Sequence, residues 1–363
     1  MKFKLGELFC GPGGIALGAM TSQSDDGIYK IDHAWANDFD KDTCQTYINN
    51  ICPEKPETVI CEDIRKLDFR KLKRISDIDG LAFGFPCNDF SIVGEQKGID
   101  GVYGPLYSYG IKALNVFQPK WFLAENVGGL RNANDGKAFE MILSEMHLAG
   151  YKITPHLYKF HEYGVPQARE RIIIIGIRDD IDVEFKVPST ELFRDIDITS
   201  RNAIENPPIS SDAPNHEFTK QSETVMKRLS YIKPGENAFT ANIPEELQLN
   251  VAGAKISQIY KRLDPNKPSY TVTGSGGGGT HVYHWEENRA LTSRERARLQ
   301  TFPDNYVFYG SKESVRKQVG MAVPVKGAKV IFDALLNSFA GIEYPHVENN
   351  LKYDFNSYQE SIL

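Results

Sequence analysis

Short apolar runs alternate with helix-like segments through the first half of the chain, and this alternation restricts the fold more than any other feature. Leu5–Phe9, His33–Ala36, Leu81–Phe85, Trp121–Ala124 and Ile172–Ile177 read as buried strands. Between them, Asp40–Ile51 and Ala138–Ala149 read as helices; in the second, Phe139, Ile142, Leu143 and Met146 fall on one apolar stripe. Strands separated by helices predict a doubly wound, parallel α/β sheet, whose strand order is left open. After Arg178 the pattern breaks. Prolines at 188, 207, 208, 214, 234, 244, 265 and 268 interrupt residues 179–290, predicting a smaller, loop-rich domain. Regular pattern returns at Thr292–Gln300 and Val325–Phe339, the latter packed back on the sheet. The expected division is therefore 1–179, 180–288 and a return segment 289–363. There is no internal repeat, and Gly274–Gly279, with Ser275, is the one low-complexity stretch.

No run is long enough to span a membrane, and the chain enters a strand pattern from Met1 without a signal region, so the expected compartment is the cytoplasm. The five cysteines (Cys10, Cys44, Cys52, Cys61, Cys87) are odd in number and form no Cys-x-x-Cys pair, which argues against a disulfide framework or a metal site. The net charge of -6 speaks mildly against a polyanionic partner. It is unevenly spread, however: residues 201–300 carry +2 and the remainder -8, so the later segment is the better candidate for meeting phosphate.

Two segments carry chemistry. Glu7-Leu8-Phe9-Cys10-Gly11-Pro12-Gly13-Gly14 follows the first strand, where glycines let backbone N–H groups approach a ligand. Its spacing does not fit the G-x-G-x-x-G dinucleotide pattern. Asp38 ends the second strand, where a carboxylate can hold ribose hydroxyls; Phe39 beside it offers a face for adenine; Asp63-Ile64 follows the next strand-like segment. Each reads equally well as a helix cap or core contact, but three in order favour a nucleoside. The second segment, Gly84-Phe85-Pro86-Cys87-Asn88-Asp89-Phe90-Ser91, follows a buried strand at the end where open α/β sheets bind ligands. A cysteine there is placed to be a nucleophile, although a cysteine taken at random is more often an inert buried thiol.

These segments, with others in order, resemble the cytosine-5 DNA methyltransferases of bacterial restriction–modification type. Phe9–Gly14 is similar to the family's cofactor loop and Pro86-Cys87 to its catalytic Pro-Cys. Gly94–Gly98 is similar to its mobile loop, Glu125-Asn126-Val127 to its Glu-Asn-Val, and Gln167-Ala168-Arg169-Glu170-Arg171 to its Gln-x-Arg-x-Arg. Leu291–Pro303 and Gln318–Pro324 resemble its last two motifs. The resemblance implies a Rossmann-like, mostly parallel sheet with helices on both faces and a smaller target-recognition domain. It implies S-adenosylmethionine as cofactor, held by Phe9, Gly11, Pro12, Gly13, Gly14, Asp38, Phe39, Asp63, Ile64, Pro86, Leu106 and Ala322. It gives Cys87 addition to cytosine carbon 6 and Glu125 a hydrogen bond to N3 and the amino group, for which a raised pKa would serve. Arg169 would contact the O2 side and Arg171 would support the Cys87 loop. The target base must leave the duplex, so Ile92–Tyr107 would form the loop that closes over DNA, with Ile92, Val93, Gln96 and Lys97 in contact. Thr271, Thr273, Gly274 and Ser275 would contact DNA from the recognition domain. The implied partner is double-stranded DNA, with the protein a monomer and any cognate restriction endonuclease acting on the same site without direct contact.

Three positions depart from the family pattern: Asn88 replaces Gln after the cysteine, Gly101-Val102-Tyr103-Gly104 lacks the loop Arg, and Met321 replaces Asn in the last motif. Two rivals are a tRNA cytosine-5 methyltransferase, disfavoured because no cysteine follows Cys87, and a catalytically idle DNA-binding protein, disfavoured by the intact Cys87, Glu125, Arg169 and Arg171.

Overall fold

The computed structural model describes residues 1–85, 106–249, 257–276 and 279–352. The chain forms two compact units, one of residues 1–159, 170–192 and 328–363, the other of residues 160–169 and 193–327.

The first unit is built on seven strands: β1 (Lys2–Leu8), β2 (Lys30–Asp38), β3 (Val59–Cys61), β4 (Gly80–Gly84), β5 (Trp121–Val127), β6 (Tyr151–Lys159) and β8 (Glu170–Arg178). Their order is β3-β2-β1-β4-β5-β8-β6. The first five run parallel, whereas β8 is antiparallel to both β5 and β6. All five strands read from sequence are present. The apolar run Ile172–Ile177 could not reveal its direction, because a strand flanked on both sides is buried whichever way it runs. Strand β6 escaped the sequence reading; Pro155 interrupts it, which is tolerated because β6 is the sheet edge.

Between the strands lie α1 (Gly14–Met20), α2 (Lys41–Ile51), α3 (Phe69–Ile75), α4 (Tyr107–Phe117) and α5 (Lys137–Leu148). Asp40 and Asp68 cap α2 and α3, accepting from Thr43 N and Lys71 N at 3.0 Å each. Neighbouring residues on β5 show how both faces are covered, since successive side chains point oppositely. Phe122 joins the core cluster with Phe83, Phe117, Ile142 and Leu143, while Trp121 meets Phe332 of α10 (Val325–Ala340) at 5.7 Å between ring centroids. Strand numbering reverses between β1 and β4, and the carboxyl ends of the strands at such a switch form the crevice of open α/β sheets.

The second unit holds short elements: β7 (Gln167–Ala168), α6 (Ser200–Glu205), α7 (Glu223–Ser230), β10 (Ser269–Tyr270), α8 (Ser293–Leu299) and α9 (Lys312–Met321), with β7 paired to β10. In the first unit, β9 (Val187–Pro188) pairs with β11 (His346–Val347). The compact units are cut at 159/160, 169/170, 192/193 and 327/328, so that residues 289–327 fall with the loop-rich segment. The reason lies in α8 and α9, which pack with the loop-rich segment. Thr292 and Glu295 form a full capping box on α8, and Arg294, Glu295, Arg296 and Arg298 are all buried. A sequence this charged reads as a solvated helix. Here Arg294 donates to the carbonyls of Pro214, Pro303 and Tyr306. Arg298 donates to those of Ala203, Ile204 and Pro207 while pairing with Asp304. Arg262 likewise donates to Leu229, His284 and Glu287. Proline-broken loops lack the ladders that satisfy their own carbonyls, and the arginine forks supply the missing donors.

Candidate active site

Leu8 of β1 pairs with Phe83 of β4, so the turn after β1 and the chain leaving β4 begin side by side. The turn is left-handed at three positions, Phe9 (φ 53°), Gly11 (φ 55°) and Gly13 (φ 88°). Asp38, at the end of β2, pins it: one carboxylate oxygen accepts Gly11 N and the other Asp40 N, each at 3.0 Å. Burial pushes the Asp38 carboxyl above its usual range, and the two backbone donors oppose that. Phe39 is 69 % exposed, an aromatic face beside a buried carboxyl. Pro12, Gly13 and Gly14 are buried in the turn, and no atom lies within 4 Å of a Cβ built on Gly11. Asp63 caps the short turn carrying buried Ile64, and hydrogen bonds from Arg65 hold its carboxyl down at about 2. Leu106, just before α4, packs half-buried against the core.

Glu7 lies under this turn and was not singled out from sequence as a site residue. It is 1 % exposed; its Oε2 accepts the Tyr47 hydroxyl at 3.1 Å, and its Oε1 has no hydrogen-bond partner. Burial pushes its carboxyl up to about 8 from 4.5. The folded protein therefore keeps a proton that the unfolded chain releases, and the contribution to stability falls as pH rises through that window. Glu7→Gln is expected to flatten the loss of thermal stability between about pH 5 and 8, a difference of a few kcal/mol at the upper end. Thermal melts at stepped pH check this; an unchanged slope would mean that another group controls it.

On β4 and β5, Gly84 stands in register with Glu125. Glu125 Oε1 pairs with Arg171 Nε at 2.9 Å, the two side chains being 14 % and 15 % exposed. Oε2 lies where a Gly84 side chain would begin, 3.0 Å from a Cβ built there. The carboxylate is thus held between a guanidinium and a bare backbone at the strand ends. Arg171 meets Glu125 itself, a contact that the supporting role read from sequence did not include. Asn126 adds a second constraint missed from sequence: its buried amide donates to Phe85 O at 3.1 Å, fixing the chain immediately before Pro86-Cys87. Cys87, Pro86, Ile92, Val93, Gln96 and Lys97 lie outside the described residues.

In the second unit Arg169 is 1 % exposed and donates to Val272 O at 3.2 Å. Thr271 spends its hydroxyl on Ala168 O at 2.8 Å, while Thr273 and Ser275 share a hydroxyl contact at 2.6 Å. Ser275 is exposed and Gly274 half-buried. Ala322 caps α9, and Met321 before it is 64 % exposed.

The family model of the C-5 cytosine-specific DNA methylases matches residues 3–337. The chain belongs to this family. Among relatives of the methylase, type II methyltransferase M.BbvI of Brevibacillus brevis is 57% identical, over 98% of this chain and 96% of its own. Type II methyltransferase M.NgoFVII of Neisseria gonorrhoeae is 38% identical over 93% and 88%. Among solved structures, a putative DNA modification methyltransferase encoded within an E. coli prophage superposes with a TM-score of 0.71 at 23% identity, covering 93% of this chain and 99% of that one, a likeness of fold. S-adenosylmethionine is the methyl donor of the methylase, and the residues at the turn after β1 have features that fit an adenosyl group. Phe39 offers an exposed ring, Asp38 keeps lone pairs beyond its backbone bonds, and the space over Gly11 is open. Among the described residues no group of His, Cys, Asp and Glu could hold a metal ion, and no helix is long and apolar enough to cross a membrane.

Proposed function

We propose that the methylase acts on a flipped-out cytosine in one defined sequence of duplex DNA, through a covalent bond from Cys87, as the modification enzyme of a type II restriction–modification pair. The observation that carries this reading is the Glu125 carboxylate, fixed by Arg171 at 2.9 Å and in register with Gly84, three residues before Cys87. The Cys87 thiolate adds to carbon 6, and electron density passes to carbon 5 and toward N3. In its protonated form Glu125 donates to N3, where that charge develops, and accepts from the amino group, while Arg171 holds its orientation. Arg169 serves the O2 side. S-adenosylmethionine, held at the β1–α1 turn, supplies an electrophilic methyl group. Carbon 5 takes the methyl group and then loses its proton, and the thiolate leaves. Asn126 positions the strand end that carries Cys87.

Residues 180–288 act as the recognition domain, 1–179 as the catalytic and cofactor domain, and 289–363 as the return to it. Ile92, Val93, Gln96, Lys97, Thr273 and Ser275 meet the DNA. The methylase works as a cytoplasmic monomer, and its endonuclease shares only the site. Expression in a heterologous host followed by bisulfite sequencing is expected to show one methylated motif. Methyl incorporation into tRNA instead of duplex DNA would overturn the reading. Exchanging residues 180–288 for those of a relative with another motif is expected to move methylation to that motif, with cofactor affinity unchanged. An active chimera that keeps the original motif would place recognition elsewhere.

A further inference from the structure

Within the second unit, α8 and α9 bring two arginines under the glycine-rich segment, and among the described residues no carboxylate forms an ion pair with either. Arg296 is 1 % exposed; its Nη1 reaches Thr273 O at 3.3 Å, and its Nη2 is buried without a hydrogen-bond partner. Arg316, half-buried on α9, has a buried Nε that is equally unpartnered. Its guanidinium lies directly on the backbone of Gly276, since a Cβ there would stand 2.1 Å from Nε and 2.3 Å from Cζ. The segment rests backbone to backbone on α9, where a Cβ on Gly320 would meet Gly274 N at 2.1 Å.

Burial above all, with repulsion from Arg316, presses the Arg296 pKa down to about 10, and the neighbouring phenols of Tyr270 and Tyr283 oppose it. The same two arginines help press His281 down to about 4. In the same unit Arg289 pairs with Glu287 and Glu295 and Arg298 with Asp304, while Arg262 and Arg294 donate several hydrogen bonds each to backbone carbonyls. A buried cation without a counter-charge costs folding free energy, and an anion bound against it offsets that cost.

We propose that Arg316, with the hydroxyls of Thr273 and Ser275 and the buried charge of Arg296 behind them, forms a seat for one backbone phosphate of the substrate duplex. This rests on the DNA reading above and deepens it. A phosphodiester fits better than a base edge, because it brings the negative charge the pair lacks and accepts several N–H donors at once, as guanidinium forks require. The seat then fixes the register of the recognition segment on DNA without itself reading sequence. The close glycine contacts follow from it, since a side chain at 276 would displace Arg316.

The test uses the full chain and the half-buried Arg316. Fluorescence anisotropy would follow binding to a duplex carrying the methylated motif and to one lacking it, over a salt series. Arg316→Gln is expected to weaken both complexes by the same factor, roughly tenfold. The slope of log K against log salt should become shallower by about 0.9. Arg316→Lys should restore the slope. Without DNA, the glutamine variant should melt no lower than wild type. A loss confined to the motif duplex with an unchanged slope would make the pair a base reader and overturn the proposal, as would unchanged binding throughout. If the wild type itself showed no salt-dependent affinity for duplex, the failure would lie in the DNA reading.

Discussion

Cys87→Ser is expected to lower methyl transfer to duplex DNA by roughly four orders of magnitude or more, because a hydroxyl is a far weaker nucleophile than a thiolate at neutral pH. Binding of S-adenosylmethionine should stay within a factor of about two, since the thiol does no work in holding the cofactor. The other four cysteines make this a selective test. Cys10, Cys44 and Cys52 are buried, and burial pushes each thiol up and away from the reactive thiolate. Cys61 is exposed, and Cys61→Ser is the matched control that should keep full activity. Duplex DNA carrying 5-fluorocytosine at the target should trap the wild type as a denaturation-resistant adduct, because fluorine cannot leave as a proton. Peptide mapping of that adduct to any cysteine but Cys87, or turnover by the serine variant, would remove Cys87 from the chemistry.

Glu125→Gln is expected to slow single-turnover transfer by about 10²–10⁴-fold while changing DNA affinity only a few-fold. The carboxyl meets charge that develops on the ring during reaction, so its worth is realised in the transition state. Arg171→Met should act through the same group. It removes the 2.9 Å partner of a carboxylate that is only 14 % exposed, at a stability cost of about 3 kcal/mol. Combining the two substitutions should slow transfer hardly more than Glu125→Gln alone, because Arg171 works by orienting Glu125. Additive rate losses would give Arg171 an independent role. A loss confined to DNA affinity, with the single-turnover rate intact, would reduce Glu125 to a structural residue.

The sheet and its motif-bearing ends were legible because buried strands must be apolar and helices between them must show one stripe; Leu81–Phe85 and Phe139–Met146 announce themselves this way. The Glu7 carboxyl and the Asn126 amide were not. Their significance comes from what the topology sets beside them, Tyr47 and Phe85 O, at sequence separations of 40 and 41 residues. The antiparallel direction of β8 was equally hidden, since direction leaves no mark on a strand buried on both faces. The second unit was the least legible: Ser293-Arg294-Glu295-Arg296-Ala297-Arg298 has the composition of a surface helix, yet lies inside, its arginines donating to loop carbonyls.

That use of arginine bears on how such a protein diversifies. Arg262, Arg294 and Arg298 hold the loops chiefly by their carbonyl oxygens, a feature every amino acid shares. Many side chains along those loops are therefore free to change while the path of the chain stays the same. A lineage can exchange the residues displayed toward its target one at a time without first losing the fold, so new recognition can arise through intermediates that remain folded.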